Sequence, residues 1–419
     1  MEDAPREGAR EIDDLEKNSL YKMTKEKKIV LAFSGGLDTT YCAIYLSKEQ
    51  GEVHTVTVNT GGFDEEELKG IESRSITLGA KSHRTIDATQ DFYKKSIKYL
   101  IAGNVLKNNT YPLSVSAERV FQATAIANYA NEIGADAIAH GSTGAGNDQV
   151  RFDMIFNIVC PDKEIITPIR DMKLSREDEI QFLKDNGVAG NWEKALYSIN
   201  QGLWGTSVGG KETLTSDNYL PDDAFPSKLE RENEETIEIK FFKGEPIALD
   251  GTELDPVECI FRLGIKSSSY AIGRDIHIGD TIIGIKGRVG FEASAPLILI
   301  KAHHALEKHV LAKNQLLIKD QISLTYGNLL HEGHYLDPVM RDIEAFFEST
   351  QQYVTGTVKV HLAPYRFHII GIESKYDLMQ SAFGKYGEMN SAWTGDDVKG
   401  FAKIFGNQNM IYHKVHQDG

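Results

Sequence analysis

The chain has 419 residues, enough for two ordinary cores and a tail, and its 61 acidic against 46 basic residues leave a net charge of −15. That balance opposes nonspecific binding to a nucleic-acid backbone, so any anionic ligand must find a local basic pocket. Cys42, Cys160 and Cys259 are far apart and odd in number, which reads as packed, reduced thiols of a cytoplasmic protein and argues against a zinc site or a disulfide frame, while no run is long and apolar enough to cross a membrane.

The first 28 residues mix acidic and basic side chains without an apolar block and fit neither a signal nor a transit peptide; they read as a flexible or loosely docked arm. An apolar run of strand length, Ile29 to Phe33, then ends in Ser34-Gly35-Gly36. Asp38 and Thr39 open an amphipathic segment to about Gln50, giving strand, tight loop and helix. Unpaired N–H groups at such a helix start, with the hydroxyls of Ser34, Thr39 and Thr40, form an anion site. A bare Ser-Gly-Gly also serves as an ordinary turn that needs glycine for geometry. Here Ser-Gly-Gly-Leu-Asp-Thr follows a hydrophobic strand and resembles the pyrophosphate-binding loop of the ATP pyrophosphatases. It lacks the spacing of a γ-phosphate P-loop.

Val53 to Val58 is a second strand leading into Asn59-Thr60-Gly61-Gly62, with a helix over Glu65 to Leu78, a strand over Lys81 to Ile86 and a helix over Gln90 to Leu100. Alternating strands and helices predict a doubly wound parallel sheet whose ligand lies beyond the carboxyl ends of the strands. Tyr111 to Arg119 leads into a helix over Val120 to Ile133; taken alone, this segment reads as a capping Ser116 and a solvated Arg119. Ala135 to Ala139 is a buried strand running into His140-Gly-Ser-Thr-Gly-Ala-Gly-Asn-Asp-Gln-Val-Arg151. A mere connector has little use for Asn147, Asp148 and Arg151 within five residues.

Ile165 to Ile169 reads as the last strand of this domain, covered by a helix over Arg176 to Asn186, and Tyr197 to Ser207 as an ordered loop between domains. The second half predicts a hairpin over Thr236 to Phe242 and Glu245 to Leu249, a helix over Pro256 to Leu263 and a strand pair within Thr281 to Phe291. Helices over Ala305 to Lys319, Ser323 to Leu330 and Leu336 to Gln351 then precede strands over Gly356 to Leu362 and Phe367 to Ile372. This is an α+β arrangement. From about Asp397, Phe401, Ala402, Ile404 and Phe405 form an apolar stripe that either packs on its own domain or contacts another subunit. The expected division is an arm at 1–27, a nucleotide-binding domain at 28–195, a synthetase domain at 196–395 and a tail at 396–419.

The two rim loops, with Tyr197 to Ser207 and more thinly Ile283 to Phe291 and Gly371 to Ser374, make the chain similar to argininosuccinate synthases. That family joins citrulline and aspartate with ATP, releasing AMP and pyrophosphate. The resemblance implies that Ala32, Phe33, Ser34, Gly35, Gly36, Leu37, Asp38, Thr39 and Thr40 hold the phosphates and that Asn59 lies near the adenine or ribose. It implies that His140, Gly141, Ser142, Gly144 and Gly146 close over the nucleotide and that Thr143, Asn147 and Asp148 hold aspartate. The citrulline side is implied to be Tyr111, Ser116, Asn147, Arg151, Ser198 and Ser207. Asp38, Asp148 and Arg151 are the side chains expected to carry the chemistry, Asp38 as the carboxylate beside Mg²⁺. A homotetramer with crossing C-terminal segments is also implied.

The sequence departs from that family at several places. Gly279 and Phe291 stand where the family holds the amino-acid head of citrulline with a glutamate and a tyrosine; Ala145 and Val115 replace a common lysine and threonine. An acceptor whose α-amine is masked by an acyl group, or substitution of the missing acid by Asp280 or Glu292, are the two expectations that follow. Among other enzymes with this loop, tRNA-thiolating and glutamine-dependent amidating enzymes use paired or nucleophilic cysteines that this chain lacks. A nucleotide-binding scaffold without catalysis is the third reading.

Overall fold

The computed structural model describes residues 26–188, 190, 197–380, 383–384, 386–389 and 392–417. The expected arm therefore lies outside the described residues except for its last two, and so does the expected boundary at 195 and 196. Strand β1 (Lys27–Ala32) is buried on both faces: Ile29 and Leu31 pack against one cluster and Val30 against another. Each such side chain contributes about 2 kcal/mol of transfer free energy. The first cluster takes Cys42, Ile44 and Leu46 of helix α1 (Leu37–Glu49) and Leu183 of a covering helix at Arg176–Asp185. The second runs without a break from the first sheet into the second half of the chain, from Val30 through Phe92 and Ile126 to Phe291 and Val360.

β1 pairs in parallel with β2 (Gly51–Asn59) and with β4 (Ala137–Ala139), and β3 (Ser82–Asp87) and β5 (Glu164–Ile166) extend the two flanks. The order β3-β2-β1-β4-β5 makes the gap between β1 and β4 the point where the winding reverses, so the loops after these two strands face each other across a crevice. Between β2 and β4 lie helix α2 (Glu65–Thr77), a helical run broken by a π-turn at Tyr93–Ile97, and helix α3 (Glu118–Glu132). Helix α4 (Asp148–Val159) follows the second rim loop. The sequence reading placed no helix there, since the polar start Asn-Asp-Gln read as loop chemistry.

The second half holds two antiparallel sheets. Strands β8 (Glu235–Phe242), β9 (Glu245–Leu249), β10 (Thr252–Glu253), β13 (Gly356–Ala363) and β14 (Arg366–Glu373) form one in the order β10-β9-β8-β13-β14, and β6 (Ser198–Gly202), β7 (Gly205–Gly209), β11 (Arg274–Asp280) and β12 (Lys286–Glu292) the other in the order β11-β12-β7-β6. Four expectations are corrected here. Tyr197 to Ser207 is not a loop but mostly a hairpin, β6 (Ser198–Gly202) and β7 (Gly205–Gly209); its polar residues hid the strand period. The pair expected within Thr281 to Phe291 is β11 (Arg274–Asp280) with β12 (Lys286–Glu292), and Thr281 to Ile285 is their turn, closed by Thr281 Oγ1 donating to Ile285 O at 2.7 Å. Ile283 and Ile285 are exposed, so their apolar character misled the strand assignment. The helices expected over Ala305 to Lys319 and Ser323 to Leu330 are Ser294–Val310 and Lys313–Glu332, which break at Leu311 and Ala312. β5 also stops at Ile166, because Pro168 opens a helical turn (Pro168–Asp171) where a strand was expected to continue.

Candidate active site

After β1 the chain turns at Ser34 and Gly35. Gly35 has φ +74°, a left-handed conformation that L side chains resist, and Arg74 of α2 fixes it by donating to its carbonyl at 2.8 Å. Ser34 Oγ and Thr39 Oγ1 lie 3.3 Å apart, and the Gly36 amide donates to Ser34 Oγ at 3.4 Å. Gly36 is the N-cap of α1 and supplies no side chain, so the first amides of the helix stay free to receive an anion. Phe33, Leu37 and Thr40 are buried, so they can reach a ligand only through their backbone; the Thr40 hydroxyl, expected at the anion site, is turned into the core. Asn59 is occupied as well: its Oδ1 accepts from the Gly61, Gly62 and Phe63 amides at 2.9, 3.2 and 3.3 Å, so the side chain shapes the loop after β2.

The second rim loop crosses directly over the first. A Cβ on Gly141 would stand 3.2 Å from Asp38 Cβ and 3.3 Å from Thr39 N, so a larger residue would push the two loops apart by a few tenths of an ångström. His140 is a buried brace: Asp153 Oδ1 lies 2.8 Å from its Nε2, and its Nδ1 accepts from the Ser142 amide at 3.2 Å. Gln149 Nε2 donates to the carbonyls of Gly144 and Gly146 at 2.7 and 3.1 Å and holds the exposed segment Thr143 to Gly146 in an arch. The Asp38 and Glu179 carboxyls act on each other, and burial raises the pKa of both; with repulsion from Asp38 added, Glu179 is pushed up to about 8.

Asp148 and Arg151, one turn apart at the start of α4, join an ion network. Arg151 Nη1 donates to Asp148 Oδ1 at 2.7 Å, and its Nε to the His331 carbonyl at 2.8 Å. Arg119 donates from Nε to Asp148 Oδ2 at 2.9 Å, from Nη1 to Glu118 Oε1 at 2.8 Å and Gln122 Oε1 at 2.9 Å, and from Nη2 to Asn200 Oδ1 at 3.0 Å. Burial by itself would raise the Asp148 pKa, but the two guanidinium groups prevail and hold it at about 2. Buried Glu118 goes the other way: burial pushes it up to about 7 despite Arg119 and a 2.8 Å bond from Thr60 Oγ1. The solvated-arginine reading is thus overturned. Arg119 is the hub of the network, and Ser116 caps nothing, its Oγ being buried without a partner. Only the charge pattern Glu118-Arg119 ahead of an apolar helix hinted at this role in sequence.

The four-stranded sheet forms the far wall. Its register puts Ser198, Asn200, Ser207, Phe291, His277 and Gly279 on one face, and the bond from Arg119 to Asn200 turns that face toward the network. Tyr111 meets the same face, with ring centroids 5.1 Å from His277 and 5.4 Å from Phe291. The Ile282 amide donates to Asn147 Oδ1 at 2.9 Å and ties the β11–β12 turn to the second rim loop. A Cβ on Gly202 would lie 2.2 Å from Glu118 Oε2, so the β6–β7 hairpin docks on the nucleotide-binding half through a glycine. Tyr111, Asn147, Asp148, Arg151 and Ser207 are therefore tied to this sheet face and the network beside it, Ser116 is buried three residues before Arg119, and Ser198 lies at the exposed edge. Asp280 and Glu292 do not replace a missing acid at Gly279: both point to the opposite face, Asp280 paired with Lys286 at 2.6 Å and Glu292 with Arg274 at 3.0 Å.

Comparison with known proteins fits this layout. Residues 28–189 match the family model for the arginosuccinate synthase N-terminal HUP domain, and residues 197–412 match that for the arginosuccinate synthase C-terminal domain. The argininosuccinate synthase of Methanocaldococcus jannaschii is 38% identical over 391 residues, covering 92% of this chain and 98% of its own length. That of Dictyoglomus turgidum is 38% identical over 392 residues, 93% of this chain and 98% of its own, and that of Xanthomonas campestris is 36% identical over 406 residues, 93% and 99%. With both halves matched and relatives aligned along nearly their full length, the chain belongs to the argininosuccinate synthase family.

Proposed function

We propose that the protein is an ATP-dependent, AMP-forming ligase that condenses citrulline with L-aspartate to give argininosuccinate, in arginine biosynthesis. The observation that carries this reading is the contact of the two rim loops across the sheet's switch point, Gly141 against Asp38, beside a pocket of buried donors and an ion network. A ureido oxygen is too poor a leaving group for an amine to displace. It must first attack the α phosphorus of ATP, with pyrophosphate departing, so that the aspartate amine then expels AMP from the activated carbon. The free amides at the start of α1, with Ser34 and Thr39, receive the charge that develops on pyrophosphate. Arg151 Nη2 and Ser116 Oγ, both buried and without a partner among the described residues, are donors available to hold citrulline. Asp148, ionised through Arg119 and Arg151, is suited to an ammonium and pairs with Thr143 and Asn147 on the aspartate side. Alignment of three ligands supplies up to about 7–11 kcal/mol of the rate effect.

Mg²⁺ bound with ATP belongs to this proposal. Among the described residues no group of three or more His, Cys, Asp and Glu could form a dedicated cage. Magnesium on a nucleotide needs only one or two carboxylates, and Asp38 with Glu179, whose Oε2 is buried and unpartnered, fits that need. Bound there it would neutralise charge on the phosphates.

We further propose the division 28–195 and 196–395, a cytoplasmic location and assembly as a homotetramer through the tail. The last two helices, Gly395–Phe405 and Asn407–Val415, bury no residue, and Phe401, Ile404 and Phe405 are 65%, 78% and 79% exposed, which disfavours packing on the tail's own domain. No helix among the described residues is long and apolar enough to cross a membrane.

The test is product analysis with ATP labelled at its α phosphorus. Labelled AMP that requires the ureido substrate supports the ligase. Labelled ADP refutes it. ATP–pyrophosphate exchange without aspartate, dependent on the citrulline substrate, separates an enzyme from a nucleotide-binding scaffold.

A further inference from the structure

Glu118 takes no part in the steps above, but three elements close on its carboxyl. Oε2 accepts from Thr60 Oγ1 in the loop after β2 at 2.8 Å, Oε1 accepts from Arg119 Nη1 on its own helix at 2.8 Å, and a Cβ on Gly202 of the β6–β7 hairpin would stand 2.2 Å from Oε2. The loop and the hairpin are fastened to each other as well. The Leu203 amide donates to the Thr60 carbonyl at 3.0 Å, and a Cβ on Gly61 would lie 2.9 Å from Leu203 Cβ. Glu118 is 1% exposed, so its charge rests on these two donors.

Arg119 carries that anchor into the cleft. Its guanidinium is a rigid plane, so fixing Nη1 on Glu118 sets where Nε meets Asp148 Oδ2, at 2.9 Å, and where Nη2 meets Asn200, at 3.0 Å. The charged groups facing Glu118 are Arg119 from α3 and Asp148 from α4, the latter bonded to Arg151 at 2.7 Å; the loop and the hairpin bring Thr60 and Gly202, which carry no charge. Burial pushes Glu118 up to about 7 against the pull of Arg119 and Thr60, whereas Asp148 is held at about 2. Between pH 6 and 8 Glu118 therefore changes charge and Asp148 does not. A hydrogen bond between two charged partners is stronger than one with a neutral acceptor, so protonation of Glu118 loosens Arg119.

We infer that Glu118 is a positioning residue for L-aspartate: its carboxylate, fixed by Thr60, holds Arg119 against Asp148, and aspartate binds more weakly once that carboxylate is neutral. This rests on the ligase reading above, in which Asp148 faces the aspartate side. The experiment measures KM for aspartate by AMP formation at pH 6 and pH 8, with ATP and citrulline saturating, for the wild-type chain, Glu118→Gln and Thr60→Val. Titration of ATP is common to all three and cancels in their ratios. Glu118→Gln, a neutral isostere, is expected to have a KM about fivefold above wild type at pH 8, the difference between a charge-assisted and a neutral hydrogen bond, and to match wild type at pH 6. Thr60→Val removes a donor from the ionised form, so its rise in KM should begin at higher pH than in wild type. No gap between Glu118→Gln and wild type, or the same gap at both pH values, overturns the inference. Should Glu118→Gln fail to fold, a Thr60→Val profile that coincides with wild type overturns it. Absence of AMP formation by the wild-type chain at both pH values overturns the ligase reading itself.

Discussion

Arg119→Met is the sharpest test of the site's construction, because it removes a hub and keeps the helix. Methionine matches arginine in helix propensity and fills much of the stem's volume. What is lost is a guanidinium that makes four hydrogen bonds of 2.8–3.0 Å, two of them to the carboxylates Glu118 and Asp148. Bonds to charged groups are worth about 1.5–3 kcal/mol each and do not add. Glu118 would remain fully buried with only Thr60 as partner, whereas Asp148 would keep Arg151 and some access to water. Breaking one partner out of a buried pair costs about 3–5 kcal/mol, and this case belongs there. Urea unfolding of both proteins at pH 7 reads the stability change. Steady-state kinetics reads the site, with KM for aspartate expected to rise, since Asp148 loses one of the two cations that keep it ionised. The pH dependence carries a second signature. Asp148, held at about 2, adds stability that is present above its unfolded pKa and lost as pH falls toward 2; Arg119→Met should weaken that acid-side loss. A stability change under about 1 kcal/mol, the range of exposed ion pairs, would show the network to be solvated and refute the reasoning.

Gly202→Ala should impair catalysis more than folding, because its Cβ would lie 2.2 Å from Glu118 Oε2 and push the β6–β7 hairpin off the cleft; wild-type KM values for both amino-acid substrates would count against the docking described here. Glu179→Gln should flatten the alkaline side of the stability curve. With its pKa raised to about 8, Glu179 stabilises fully below its unfolded value near 4.5, and that contribution disappears as pH rises through 8, so the variant should gain on wild type between pH 5 and 9 in thermal unfolding. Equal slopes would show that the Asp38–Glu179 contact does not form in solution. A chain ending at Thr394 should elute as a smaller species in light-scattering chromatography, since it lacks the exposed stripe of Phe401, Ile404 and Phe405; an unchanged mass excludes the tail from assembly.

The parallel sheet of the first half and the place of its two rim loops were legible in the order of residues alone. Long apolar runs such as Ile29 to Phe33 and glycine-bearing ends such as Ser34-Gly35-Gly36 are local signals, and local sterics and burial on both faces of a parallel sheet leave them little freedom. The buried cysteines and the amphipathic tail were legible for the same reason. Tertiary structure alone decided the rest. The β6–β7 hairpin carries polar residues on both faces because one face lines the cleft, so no period marked it. Arg119 reads as solvated until Asn200, 81 positions later, and Asp148 close around it, and only the fold shows that the Asn59 Oδ1 is taken by the amides of its own loop. Thr40 reads as part of an anion site until helix packing turns its hydroxyl inward. In each case the partner is set by chain crossings far apart in sequence. The charge and direction of a side chain in a cleft follow from those crossings, and no local pattern encodes them.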